Sequence, residues 1–144
     1  MQPDFQALFF DWGENVARPL QYAVRHDSNL RHDIAFLSSL LHDAELLKVT
    51  HQGKKVVCEL QRDTWELYRK DQHVQSIRSI LSISPVSDEF QLLPGQTIDH
   101  LSSFRSSIEP DSILVRLHFS NGDECELVFP EFEFRILLTD LQEV

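Results

Sequence analysis

A chain of 144 residues with 42% hydrophobic and 10% aromatic content fits a single globular domain, large enough to bury a core without disulfides or structural metal. Its 23 acidic residues against 13 basic ones give a net charge of −10, which argues against a nucleic-acid binder, because tracking phosphates needs a positive stripe. No basic, apolar leader opens the sequence, and no apolar run approaches the roughly twenty residues that cross a bilayer, so a cytoplasmic protein with no membrane partner is expected.

The first forty residues read as helical. Phe5, Leu8, Phe9, Trp12 and Val16 recur at helical spacing and form one apolar stripe, which Gly13 weakens in its later turns. Pro19 suits the first turn of a second short helix carrying Leu20, Ala23 and Val24 to about Arg25. Asp27 or Ser28 caps a third, in which Leu30, Ile34, Leu37 and Leu41 keep the spacing and Phe36 and Leu40 widen the stripe.

After Asp43 the apolar period changes from helical to alternating. Leu47 and Val49, then Val56, Cys58 and Leu60, make a hairpin over residues 44–62. A two-residue turn at Gln52-Gly53 pairs Val49 with Val56 and Leu47 with Cys58. Residues 64–70 carry no clear pattern. Ile77 to Ser84 is a strand ended by Pro85, Pro94-Gly95 marks a turn, and a short helix is expected around Ile98 to Phe104.

The next hairpin can be tested for register, because apolar residues of paired strands must face the same side. A two-residue turn at Asn121-Gly122 sets Leu117 against Glu126 and mixes the faces. A three-residue loop, Ser120 to Gly122 with positive φ at Gly122, instead pairs Leu117 with Cys125, Val115 with Leu127 and Ile113 with Phe129. The outer face then sets Arg116 beside Glu126 and His118 beside Glu124, which makes His118 an exposed cross-strand partner. A last strand runs from Glu131 to Leu138.

Together these elements predict one α+β domain over 1–144, helical over 1–43 and β-rich over 44–144. N-terminal helices pack on a mostly antiparallel, curved sheet or partial barrel of about six strands.

Charge is unevenly spread. Residues 109–144 hold nine carboxylates and two arginines, whereas residues 48–70 hold six basic and three acidic residues. This split, with no catalytic constellation, predicts a non-catalytic interaction module that binds a protein partner or self-associates. Its candidate binding residues are Glu124, Glu126, Glu131 and Glu133 of the acidic sheet face, with Trp65 and Tyr68 as aromatic anchors. Four glycines leave little scope for a phosphate-cradling loop, and no cofactor is expected. Cys58 and Cys125 occupy apolar strand positions and read as buried thiols; a bridge between them requires the two strands to face each other.

Three His-Asp dipeptides occur, at His26-Asp27, His32-Asp33 and His42-Asp43. The segment Leu40-Leu41-His42-Asp43-Ala44 resembles the metal-binding step of the HD-domain phosphohydrolases, all-helical enzymes that bind divalent metal through histidines and aspartates. That resemblance implies a metal on His42 and Asp43, helped by His26 or His32, and phosphoester hydrolysis. On one helix the ten residues from His32 to His42 span about 15 Å, too far to share an ion. Read from its own neighbours, His42-Asp43 is instead a helix C-terminus, with Asp43 turning the chain toward the strand. A third reading is a small-ligand binder inside the curved sheet, if Phe119, Phe129, Phe132 and Phe134 line a pocket and do not fill the interior.

Overall fold

The structure is a computed structural model that describes residues 8–9, 12–25, 29–68, 74–87, 89–105, 112–130 and 133–141. Among these residues the chain forms a helical turn (Trp12–Asn15), then β1 (Gln21–Arg25), a helix α1 (Leu30–Leu40), β2 (Glu45–Gln52) and β3 (Lys55–Asp63). A 3-10 turn (Trp65–Leu67) follows, and then β4 (Ser76–Ser84), β5 (Ile98–Arg105), β6 (Ser112–Phe119), β7 (Glu124–Pro130) and β8 (Arg135–Asp140). One sheet has the order β1-β8-β4-β3-β2 and the other β5-β6-β7, and every pairing is antiparallel.

The mixed α+β class is as expected, but its details need correction. Among the described residues eight strands replace about six, the region 1–43 expected to be helical contributes one helix of regular length, and two separate sheets replace the partial barrel. The expected second helix is β1, which pairs with β8. Leu20 and Val24, both fully buried, are four residues apart, a spacing that satisfies helical and alternating periods alike. Of the stripe expected from Phe5 to Val16, Phe5 lies outside the described residues, Phe9 is in the core and Leu8, Trp12 and Val16 pack against it, with the Trp12–Asn15 turn as the described helical part. Helix α1 is capped by Asn29, whose side chain accepts a hydrogen bond from His32 N at 3.4 Å; the expected caps Asp27 and Ser28 lie outside the described residues.

The expected helix at Ile98 to Phe104 is β5. Ile98 and Leu101 are both buried although three residues apart, because a bulge between Ile98 and His100 inserts one residue and returns Leu101 to the inner face. The first hairpin turns one residue later than expected, at Gly53-Lys54, so Val49 faces Cys58, and a bulge at Leu47 restores Leu46 opposite Leu60. The third hairpin has the expected register in every pair, with Gly122 at φ +94° in its three-residue loop.

Both sheets turn their alternating apolar faces into one core, with Val56, Cys58, Leu60, Leu81 and Leu138 from the first and Val115, Leu117 and Phe129 from the second. Helix α1 adds Ile34, Leu37 and Leu40, and its Ser38 Oγ accepts from Leu101 N at 2.8 Å, just past the β5 bulge. The two cysteines are free, and burial pushes the Cys58 thiol up to about 12.

Beneath the five-stranded sheet's inner face lies a buried ion network. Arg62 on β3 is fully buried and donates through Nε and Nη2 to Asp140 at 2.9 and 2.7 Å, and through Nη1 and Nη2 to Glu66 at 2.8 and 2.6 Å. Ser79 Oγ donates to Asp140 at 2.6 Å, and Arg18 donates to Glu66 at 2.8 Å and to Gly13 O at 2.8 Å. Gly13 must be glycine, since a Cβ there would stand 2.0 Å from the carbonyl oxygen of Glu66. Burial alone would raise the Glu66 carboxyl, but the hydrogen bonds and charge of Arg62, with Arg18, hold it below the ordinary glutamate range.

Replacing Arg62 by Met strands two buried carboxylates and is expected to cost about 3–5 kcal/mol in urea unfolding; Gly13→Ala, which forces backbones apart, is expected to cost about 1–3 kcal/mol. Because the folded-state value of Glu66 is depressed, its contribution is present above the ordinary value of about 4.3 and lost as pH falls through the folded value. Glu66→Gln should therefore flatten the acid limb of stability measured against pH.

Candidate functional site

Alternation fixes what each sheet shows to solvent. On the three-stranded sheet the residues between the buried ones form three cross-strand rows: Phe104, Leu114 and Val128; Ser102, Arg116 and Glu126; His100, His118 and Glu124. The first row is apolar and open. Phe104 is 49% exposed and Val128 48% exposed, with half-buried Leu114 between them. An apolar row running across three strands on the solvent side is a feature of interaction surfaces more than of a bare sheet face.

The second row is held to the first by Arg116, whose guanidinium carbon lies 5.4 Å from the Phe104 ring centroid. Arg116 also donates to Glu126 through Nη2 at 2.8 Å and Nε at 3.1 Å, and its Nε stands 3.8 Å from Glu124. In the third row the His100 and His118 rings stack at 4.0 Å and 10°. His118 Nδ1 donates to Glu124 at 3.1 Å, which leaves Nε2 to accept the Ser102 hydroxyl at 3.1 Å. His100 Nδ1 donates to the neighbouring Asp99 at 2.7 Å, and that hydrogen bond holds the Asp99 carboxyl below its ordinary range.

Ser102, His118 and Glu124 thus stand in the order of a nucleophile, base and orienting carboxylate. Such a relay accelerates acyl transfer when donors also await the oxyanion. Arg116 donates through Nε and Nη2 to Glu126, so these residues link the three strands across the face.

The sequence-derived candidates separate. Glu124 and Glu126 come together on this face, Glu133 lies beside Arg25 and Arg135 at one end of the other sheet, and Glu131 falls outside the described residues. Trp65 is 7% exposed and donates through Nε1 to His42 O at 2.6 Å, so it serves as packing; Tyr68 is half-buried, its ring 6.4 Å from that of Trp65. Phe119, Phe129 and Phe134 are buried in the core, and Phe132 lies outside the described residues.

His42 and Asp43 form the corner where α1 ends and β2 begins. His42 Nδ1 donates to Asp99 O at 2.8 Å rather than to the helix's own carbonyls, and its Nε2 stands 3.6 Å from Asp43. Asp43 has φ +65°, a left-handed conformation that turns the chain, and its N–H donates to Ile98 O at 2.8 Å. Among the described residues no group of three or more His, Cys, Asp and Glu side chains is placed to hold a metal, and His26 lies outside them. Nor is any described helix long and apolar enough to cross a membrane.

Sequence reasoning passed over Phe104, Leu114 and Val128. The signal for two of them is a break in alternation: Leu114 sits between Ile113 and Val115, and Val128 between Leu127 and Phe129, so each is apolar on the polar face. No protein-family model matches the chain, and neither curated proteins nor solved structures give a match.

At the corner, burial raises the Asp63 carboxyl and the nearby Asp43 charge raises it further, against the opposing pull of Arg62 and His42. A raised folded-state value means stability from this group is present at low pH and lost as pH rises through it. Asp43→Asn keeps a residue that tolerates the left-handed turn and removes the repelling charge. Carboxyl NMR titration should then place Asp63 closer to an ordinary aspartate.

Proposed function

We propose that this protein is a non-catalytic interaction module whose docking surface is the outer face of the three-stranded sheet. The observation that carries the reading is the open row Phe104, Leu114 and Val128, two of whose members are about half exposed on the opposite edge strands of one sheet. Burying such a row is favourable by roughly 25 cal/mol per Å² of apolar surface removed from water.

The surrounding charges define the partner. Among the described side chains Asp99, Glu124 and Glu126 border the face against Arg116, so the complementary surface is a protein segment with apolar side chains flanked by lysine or arginine. Arg116 and the half-stacked histidines already hold their positions through cross-strand contacts, which lowers the ordering cost of docking. This keeps Glu124 and Glu126 as binding residues and replaces Trp65 and Tyr68 with Phe104 as the aromatic anchor.

A photoreactive side chain placed at Val128 should, in cells expressing the protein, yield a discrete cross-linked adduct identifiable by mass spectrometry. The adduct should vanish with Phe104→Asp and should not form from the same probe at Gln61 on the other sheet. With the partner in hand, Phe104→Ala should weaken binding by about 2 kcal/mol, as expected for a central aromatic anchor. Equal labelling from Val128 and Gln61, or none from Val128, would count against this docking face.

A further inference from the structure

One end of the five-stranded sheet concentrates positive charge in a chain whose net charge is −10. Arg25 on β1 is directly opposite Arg135 on β8, and Arg135 is directly opposite Ser84 on β4. The β3–β4 register, with Val56 opposite Ile83, brings Lys55 beside Ser84, so three strands contribute a cation to one row of one face. Lys54 in the β2–β3 turn joins them, its carbonyl fixed by Val86 N at 2.8 Å. Among the described residues, these four cations and the carboxylate of Glu133 line a cleft of about 630 Å³.

The volume lies within the range of small-molecule sites and exceeds what an inorganic ion fills. Phe134 and Pro85 add an apolar wall for an organic body. Arginine forks match phosphate oxygens two at a time, and Arg135, Lys54 and Lys55 together suit a multiply charged anion better than a monocarboxylate. Arg25 makes a further interaction of its own, so the case rests chiefly on Arg135, Lys54 and Lys55.

From this charge, volume and register we infer that the cleft binds a phosphate-bearing small molecule of about nucleotide size. The site is separate from the docking face and stands independently of it.

Calorimetric titration of the full chain in low-salt buffer, with ADP and inorganic pyrophosphate as probes, tests the assignment. The expected result is saturable one-to-one binding of ADP, tighter than that of pyrophosphate because only ADP meets the apolar wall. Arg135→Gln and the double variant Lys54→Gln, Lys55→Gln should each weaken ADP by roughly tenfold or more, since charged hydrogen bonds are lost. Lys48→Gln, elsewhere on β2, should leave it unchanged. Without ligand, Arg135→Gln should unfold at a temperature no lower than the parent, which separates lost binding from lost folding. No saturable binding of ADP, pyrophosphate as tight as ADP, or ADP binding retained by both cleft variants would overturn the inference. So would binding of a phosphopeptide or single-stranded oligonucleotide by a protein that ignores ADP.

Discussion

The arrangement of this chain depends on one buried guanidinium. Arg62 has no exposed surface, so each of its N–H groups must meet an acceptor inside the protein and its charge must be balanced there. Asp140 and Glu66 take it from two sides, and the second carboxylate is balanced in turn by Arg18 at the rim of the network. The neutrality of this four-member group is spread over distant parts of the sequence. Asp140 ends β8, Glu66 lies in the 3-10 turn, Ser79 is on β4, and Arg18 also grips the carbonyl of Gly13. Satisfying one arginine therefore fixes the N-terminal turn, the middle of the sheet and the end of the last strand together.

A second constraint joins the two sheets. Chain direction at the end of α1 is reversed by the left-handed Asp43, after which Ala44 O accepts from Ile98 N and Asp43 N donates to Ile98 O. That pair of hydrogen bonds sets the start of β5 against the start of β2, and Thr97 bridges to Glu45. The β5 bulge follows at once and decides which residues face outward. Without it, Leu101 and His100 would exchange faces, and Phe104 would turn into the core. The place of Phe104 beside Leu114 and Val128 is thus a consequence of local backbone geometry at the corner, several residues away.

Where the sequence was legible, one geometric rule sufficed. The third hairpin could be read pair by pair because both arms alternate strictly and the two-residue alternative mixed their faces. The strand at Ile77 to Ser84 was legible for the same reason. The failures share a cause as well. A spacing of four, as in Leu20 and Val24, fits a helix and a strand equally, and only the distant partner β8 decides. A spacing of three, as in Ile98 and Leu101, is helical until a bulge absorbs one residue. The first hairpin's register was displaced by a turn one residue later than expected, and the bulge at Leu47 then absorbs one residue. Arg62, buried at a position that alternates with Cys58 and Leu60, could have been singled out as a charge on the core face, but its partners Glu66 and Asp140 follow from no local pattern. The candidate surface was half visible: Glu124 and Glu126 come from register, while Phe104 required knowing that its segment is a strand.

The uneven charge seen along the sequence takes a different form in three dimensions. Counting by segment assigns basic character to residues 48–70, yet Arg62 from that stretch is buried and neutralised, and Lys48 lies opposite Glu59. The cations that do gather come from three separate places: β1, the adjacent pair Lys54 and Lys55 where the β2–β3 turn meets β3, and β8. Arg135 even belongs to the acidic C-terminal stretch. Cross-strand register, more than proximity in sequence, decides which charges add, because residues directly opposite stand about 5 Å apart whatever their separation along the chain. For the same reason the acidic average of the whole chain describes neither surface: one sheet presents carboxylates around an apolar row, and one end of the other presents arginines and lysines around a cleft.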